Sequence, residues 1–157
     1  MIKTTLRIGF DFAHRLMNHK GKCRNIHGHS GVAEITFRGE DRDQDSGFLG
    51  NADLADLKEM IKGWIDENWD HGLLLNADDP LHTLLAELHY KESKCELKIY
   101  IALSEPSSEY MAEHLHHKVH ERCLAMFPET YAKTFWIERV KIYETQSNAA
   151  EYTALEW

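Results

Sequence analysis

The feature that most restricts the fold is a change in the period of the apolar side chains along the chain. From Ile2 to Phe12 every second residue is apolar, Thr4 excepted, and Val32 to Arg38 alternates in the same way. Successive side chains of a strand point to opposite faces, so each segment can bury one face and expose the other. The sequence therefore predicts two half-buried strands, which we expect to pair in antiparallel fashion.

A helical period follows in two later segments. Apolar residues then recur at three- and four-residue spacing, Asn51 or Asp53 is suited to cap the first helix, and Pro128 ends the second. The predicted elements are helices from Asp53 to Asn68 and from about Ser108 to Phe127, and strands from Phe135 to Glu144 and from Glu151 to Trp157. Two strands, two helices and two strands in this order predict an α+β fold.

The stretch from Asn76 to Ser104 gives mixed signals. Thr83 to Tyr90 has weak helical character, whereas apolar alternation favours a strand at Cys95, Leu97, Ile99, Ile101 and Leu103. Repeats, low-complexity tracts and linkers are absent from the sequence. We therefore expect residues 1–157 to form a single domain.

Composition narrows the functional class. The net charge of −8, with scattered basic residues, argues against a nucleic-acid partner. No apolar run approaches the roughly eighteen residues that cross a bilayer, and the first residues lack the layout of a signal peptide. The three cysteines suggest no disulfide framework. We expect a cytoplasmic protein with no membrane partner.

Three of the eleven histidines form the strongest candidate site. His27 and His29 point to the same side of an extended backbone, and a hairpin of the first two strands would return them beside His14. Three neutral imidazoles around Zn²⁺ would leave a fourth position open for water or substrate, as catalytic zinc requires. The sequence predicts a metal site on these three side chains.

Cys23, four residues before His27, has two interpretations. A nearby cation would lower the pKa of its thiol and favour a reactive thiolate. Alternatively, Cys23 is a fourth ligand that closes the site, so that the metal only supports the fold. The spacing does not decide between these roles.

Other polar residues are weaker candidates. Asp70 and His71 follow the first helix, where a tight turn would let the carboxylate orient or charge the imidazole, although a merely polar turn explains them equally well. Glu109 and Glu144 lie at a helix start and a strand end, where solvated carboxylates are common. The remaining residues of interest have ordinary roles on an amphipathic helix or in the core: His114, His116, His117, His120, Cys95 and Cys123.

Taken together, these motifs resemble the family of 6-pyruvoyl- and 6-carboxy-tetrahydropterin synthases. They occur in family order over nearly the whole chain and comprise Phe12 to Leu16, Cys23 to His29, Asp70-His71 with Leu75-Asn76, Pro106 to Glu109, and Tyr143 to Thr145 with Glu151-Tyr152. The chain departs from the family at Gly31, where an aromatic residue is common, at Ser107 or Ser108, where threonine is, and in its longer segment 77–104.

The resemblance implies a tunnelling fold, in which an antiparallel sheet with two helices on one face joins its neighbours in a barrel between subunits. Homotrimers or homohexamers with shared active sites are implied. Zn²⁺ on His14, His27 and His29 is also implied, with Cys23 as the proton-abstracting base. The other roles implied are Asp70 and His71 as a second proton carrier, and Ser107, Ser108, Glu109 and Glu144 as pterin-binding residues.

The expected function is therefore that of a zinc-dependent lyase, a 6-carboxy-5,6,7,8-tetrahydropterin synthase acting on 7,8-dihydroneopterin triphosphate, the reaction that the resemblance links to queuosine and deazapurine biosynthesis. Two alternatives remain open: a 6-pyruvoyl-tetrahydropterin synthase, and a non-catalytic relative that binds pterin or metal.

Overall fold

The structure is a computed structural model that describes residues 1–91 and 97–154, without the side chains of residues 89–91. Its strands are β1 (Ile2–His14), β2 (His27–Gly39), β3 (Gly72–Asn76), β4 (Ile99–Ala102), β5 (Phe135–Tyr143) and β6 (Ala149–Thr153). Its α-helices are α1 (Leu54–Asn68), α2 (Pro80–Lys91) and α3 (Ser108–Met126), and a short 3-10 turn covers Lys22–Arg24.

The six strands form one sheet in the order β4-β3-β1-β2-β5-β6. β1 and β2 are antiparallel along their whole length, from Ile2 opposite Gly39 to His14 opposite His27. β5 and β6 continue the antiparallel part. This confirms the predicted hairpin and the two strands after α3, whereas residues 155–157 at the end of the last predicted strand lie outside the described residues.

On the other side of β1 the sheet is parallel. β3 pairs with β1, and β4 pairs with β3, both in parallel. The sequence did not predict β3, because its Leu73-Leu74-Leu75 run has no alternation to separate a buried strand from a loop. β4 confirms the second half of the predicted strand in the middle stretch, of which Cys95 lies outside the described residues.

One apolar core lies between the sheet and the helices α1 and α3. The alternate residues Leu6, Ile8, Phe10 and Phe12 of β1 are buried together with Ala33, Ile35 and Phe37 of β2. Helix α1 contributes Leu57, Ile61, Trp64 and Ile65, and α3 contributes Met111, Leu115, Val119 and Cys123. The predicted strand and helix faces are thus the buried faces, with both helices on one side of the sheet.

Polar caps set where the helices begin. The Asp53 carboxylate accepts a 2.8 Å hydrogen bond from Ala55 N at the start of α1, which selects Asp53 over Asn51 as the cap. Ser107 caps α3 through Tyr110 N. α2 is a third helix and contains the weakly helical segment Thr83 to Tyr90. No helix within the described residues has the length and apolar character needed to span a membrane.

Candidate metal centre and active site

The hairpin of β1 and β2 brings three histidines together at its open end. His14 is paired with His27 across the strands, and Phe12 is paired with His29. The ring centroids of the three imidazoles are 4.6 Å (His14 to His27), 5.1 Å (His14 to His29) and 4.9 Å (His27 to His29) apart. One ring nitrogen from each lies within 4.8 Å of the others. The convergence predicted from the spacing is therefore present.

Backbone carbonyls determine which nitrogen faces the centre in two of the rings. His14 Nδ1 donates to Pro106 O at 2.7 Å, and His27 Nδ1 donates to Asn25 O at 2.8 Å. Each neutral ring then presents an unprotonated Nε2, and these two Nε2 atoms are 3.1 Å apart. His29 Nε2 is buried without a hydrogen-bond partner in the part of the chain that the structure describes. Two lone pairs and a third, unpartnered ring nitrogen thus converge on one point.

Burial keeps two of these rings neutral. His14 is fully buried, and this burial lowers the pKa of its imidazole, although the Pro106 carbonyl and Glu144 oppose the shift. Burial also lowers the pKa of His29. Since a metal binds the unprotonated nitrogen, the oriented, neutral imidazoles fit a metal ion. A divalent cation here would relieve the repulsion between lone pairs that now face each other.

Glu144 lies closer to the histidines than its sequence position indicated. It directly follows β5, whose Tyr143 pairs with Val32 of β2, and this pairing carries the carboxylate to the same end of the sheet. Its Oε1 is 3.3 Å from His14 Nε2 and 3.6 Å from His29 Nε2. The carboxylate therefore faces the proposed metal position.

The segment before α3 is held to the site through the Pro106 carbonyl described above. Ser107 forms a hydrogen bond with the Glu109 carboxylate, and this bond lowers the pKa of Glu109, with a smaller contribution from Ser108. Ser108 Oγ lies 3.5 Å from Glu109 Oε2. Glu109 is solvent-exposed and ionised, so it is available to accept N–H groups from a ligand.

Cys23 lies in the 3-10 turn between β1 and β2, where its carbonyl accepts a 2.9 Å hydrogen bond from Leu16 N. The thiol is half-buried and free. Among the described residues, the cluster of potential metal ligands contains the three histidines and not Cys23. The geometry thus gives no support to Cys23 as a fourth ligand.

Asp70 and His71 form the tight turn expected after α1. Asp70 Oδ1 accepts a 2.9 Å hydrogen bond from Asp11 N, and Oδ2 accepts a 2.8 Å hydrogen bond from His71 Nδ1. Partial burial acts to raise the pKa of Asp70, but these two hydrogen bonds outweigh it, and the pKa is lowered. His71 has a φ of 56°, an uncommon conformation outside glycine, and its side chain is 75% exposed. The imidazole is therefore oriented by Asp70 and open to a ligand or a neighbouring chain.

His71 is not part of the histidine cluster of its own chain. Among the described residues, the ring nitrogens that converge belong to His14, His27 and His29. His71 lines a cavity of about 580 Å³ together with Ala13, Gly28, His29 and Ser30. This cavity therefore lies between the Asp70-His71 turn and the end of the β1-β2 hairpin.

Lys98 was not identified from the sequence. Its Nζ donates to Asp66 O and Asp70 O, both at 2.7 Å. These bonds join the end of α1 to the Asp70-His71 turn and give a role to the segment 77–104. A lone lysine in an ambiguous stretch offers no sequence signal for such a role.

Arg15 and Asp79 form a second support that the sequence did not reveal. Arg15 follows His14 and donates two hydrogen bonds to the buried Asp79 carboxylate, at 2.6 and 2.9 Å. Asp79 also caps α2 through Leu81 N at 2.9 Å. The Asp79-Pro80 pair is a helix-start signal that could have located this cap.

Gly31 occupies a position without room for a side chain. A Cβ there would lie 3.0 Å from a ring carbon of Phe12 and 3.1 Å from Tyr143 O. The Phe12 ring in turn contacts His14 and His29, with centroid separations of 5.2 and 5.5 Å. Phe12 thus supplies the aromatic surface beside the histidines.

Comparison with known proteins identifies the family. The family model described as 6-pyruvoyl tetrahydropterin synthase matches residues 3–155. The chain belongs to this family. The resemblance inferred from the motifs is confirmed, and the family consists of tetrahydropterin synthases, which are lyases.

Family members with curated names are similar over nearly their whole length. The chain is 36% identical over 148 residues to a 6-carboxy-5,6,7,8-tetrahydropterin synthase of Rickettsia bellii, covering 92% of this chain and 95% of the relative. It is 37% identical over 150 residues to the protein of the same name from Rickettsia typhi, covering 94% and 96%.

Solved structures confirm the tunnelling fold of the family. The 6-pyruvoyl tetrahydropterin synthase of Caenorhabditis elegans superposes with a TM-score of 0.64 at 25% identity, covering 98% of this chain and 96% of that one. An uncharacterized protein of Wolinella succinogenes gives a TM-score of 0.72 at 22% identity, covering 98% and 99%.

Proposed function

We propose that the protein is a zinc-dependent 6-carboxy-5,6,7,8-tetrahydropterin synthase that acts on 7,8-dihydroneopterin triphosphate. The reaction would be a step in the biosynthesis of queuosine or another deazapurine. The observation that carries the proposal is the convergence of one ring nitrogen each from His14, His27 and His29, with the Nε2 lone pairs of His14 and His27 facing one point. The name shared by the Rickettsia relatives at 36% and 37% identity supports the carboxy product. We place the enzyme in the cytoplasm.

The three histidines would hold the zinc ion. When bound, zinc would polarise the oxygens of the substrate side chain and stabilise negative charge on them. Three protein ligands are typical of catalytic zinc, which keeps a position for substrate, whereas a structural site is closed by a fourth ligand such as cysteine. The position of Cys23 outside the ligand cluster supports the catalytic interpretation.

Proton transfer is assigned to Cys23 and to the Asp70-His71 pair. Cys23 abstracts a proton from a side-chain carbon of the substrate, and His71, oriented by Asp70, is the second proton carrier. Because His71 is outside the histidine cluster of its own chain and its side chain is 75% exposed, we propose that it serves the zinc of a neighbouring subunit. This arrangement requires a homo-oligomer, for which a trimer or a hexamer is the expected size.

We assign binding of the pterin ring to two carboxylates. A pterin presents an amino group and a ring N–H side by side, and an ionised carboxylate can accept both in a fork. Glu109, oriented by Ser107 and Ser108, is suited to this role, and Glu144 is the second candidate.

The proposal is tested by the products. Zinc-loaded protein incubated with 7,8-dihydroneopterin triphosphate should yield 6-carboxy-tetrahydropterin, acetaldehyde and triphosphate, identified by mass spectrometry. A pyruvoyl product with loss of triphosphate would instead establish a 6-pyruvoyl-tetrahydropterin synthase, the name of the C. elegans neighbour. Pterin binding without any product would show a non-catalytic relative and refute both enzymatic assignments.

A further inference from the structure

The two carboxylates proposed to bind the pterin differ in what they face. Glu109 is exposed and interacts with Ser107 and Ser108 at the start of α3. Glu144 has a side chain that is 21% exposed, and its Oε1 lies 3.3 Å from His14 Nε2 and 3.6 Å from His29 Nε2. Glu144 therefore lies beside nitrogen atoms that would bind the metal, whereas within the described part of the chain Glu109 contacts Ser107 and Ser108 and none of these nitrogens.

The nearest ring nitrogen to Glu144 Oε1 is an acceptor. His14 Nε2 cannot donate to it in the neutral ring, because the ring proton is used by Nδ1 in its bond to Pro106 O. Without a positive charge, the carboxylate oxygen and the unprotonated Nε2 atoms of His14 and His27 bring unshared electron pairs together at one place. A divalent cation that binds all of them would turn the repulsion between them into attraction.

Three of the separations agree with a shared ion. Donor atoms about 2.0 to 2.1 Å from a tetrahedral zinc ion lie about 3.3 Å from one another. The observed separations are 3.1 Å from His14 Nε2 to His27 Nε2, and 3.3 Å and 3.6 Å from Glu144 Oε1 to His14 and His29. Glu144 is outside the group of mutually close ligand atoms, so metal binding by Glu144 requires its side chain to turn toward His27.

We infer that Glu144 is the fourth protein ligand of the metal in the substrate-free protein, and that it leaves the metal when a pterin binds. The second part rests on the proposed function. A carboxylate that accepts two N–H groups of the pterin in a fork must turn both oxygens toward the ring, which we expect to draw them off the metal, and catalysis requires an open position. Glu144 thus links occupation of the pterin pocket to opening of the metal site.

The first part is tested without any substrate. Zn²⁺ affinity is measured by competition with a chromophoric chelator for the wild type, Glu144→Gln and Glu144→Ala, with folding checked by circular dichroism. Removing the ligand should weaken Zn²⁺ binding about tenfold or more, the least expected when even a supporting group of a metal site is lost. Glu109→Gln is the matched control and should keep wild-type affinity. Affinity of both Glu144 variants within twofold of the wild type overturns the inference.

Cobalt substitution tests coordination directly. Co²⁺ in the wild type should show the absorption of a four-coordinate site with one carboxylate ligand, and this spectrum should change in Glu144→Gln. Addition of biopterin should change the wild-type spectrum toward that of the variant. If biopterin binds by fluorescence quenching but leaves the wild-type spectrum unaltered, displacement is refuted. If no pterin binds, the proposed function fails, while the zinc affinities still decide whether Glu144 is a ligand.

Discussion

His116 should make the stability of the protein sensitive to mild acid. Its side chain is 3% exposed in α3, and neither ring nitrogen has a hydrogen-bond partner within the described ranges. The Ile137 backbone acts to raise the pKa of His116, although it forms no hydrogen bond of ordinary geometry with the ring. Burial, reinforced by His117 and His120, lowers the pKa of His116 from 6.5 to about 4. The imidazole is therefore neutral in the folded protein.

The direction and the size of the pH effect on stability follow from the difference between the folded and unfolded pKa of His116. Because the folded pKa is below the unfolded value, the unfolded chain binds more protons as the pH falls below 6.5, so stability is complete above that pH and is lost toward pH 4. The full shift corresponds to about 3 kcal/mol, of which about 2 kcal/mol is lost between pH 8 and pH 5.

Urea unfolding followed by circular dichroism, at one protein concentration and at several pH values, measures this loss. His116→Met keeps a similar volume without a titrating group. The stability difference between variant and wild type should grow by about 2 kcal/mol in favour of the variant from pH 8 to pH 5. His117→Gln, at an exposed position of the same helix, should reduce the pH dependence only in part, because burial is the larger cause of the lowered His116 pKa. Parallel pH curves for wild type and His116→Met would refute the reasoning.

Four further predictions concern the site and its supports. Cys23→Ala should keep about one zinc ion per chain, measured by metal analysis, while turnover falls by roughly a hundred- to ten-thousandfold, the usual contribution of acid-base catalysis; loss of zinc would make Cys23 a ligand. His27→Ala should lose zinc and activity together. Refolding a mixture of inactive His27→Ala and His71→Ala chains should restore about a quarter of wild-type activity if sites are shared, and no activity would place both groups in one chain. Asp79→Ala should lower the free energy of unfolding in urea by about 2 kcal/mol, because it leaves Arg15 without its carboxylate; an unchanged midpoint would contradict this.

The sequence predicted those parts of the fold that have a clear hydrophobic period. β1 and β2 alternate, and their pairing alone places His14 opposite His27, so the metal cluster followed from local pattern and strand geometry. β3 was missed because four of its five residues are buried, on both faces of the strand, so no polar face marks it.

Long-range contacts could not be predicted in the same way. The approach of Glu144 to His14 spans 130 residues and depends on how β5 pairs with β2. The bonds of Lys98 to the Asp70 turn depend on where β4 joins the sheet. Both contacts depend on how separate strands and helices pack together. Local residue patterns do not predict this packing.

Gly31 has a consequence for how the pocket can change by mutation. A side chain at this position would press on the Phe12 ring and on the Tyr143 carbonyl at once. Phe12 contacts two histidines of the cluster, and Tyr143 precedes Glu144, so one added methyl group would disturb the site from two directions. A replacement at Phe12 can relieve the first clash, but only a displacement of β5 can relieve the second. A larger residue at position 31 therefore requires both the Phe12 ring and the β5 backbone to yield by a few tenths of an ångström, so it would couple the shape of the pocket to the position of Glu144.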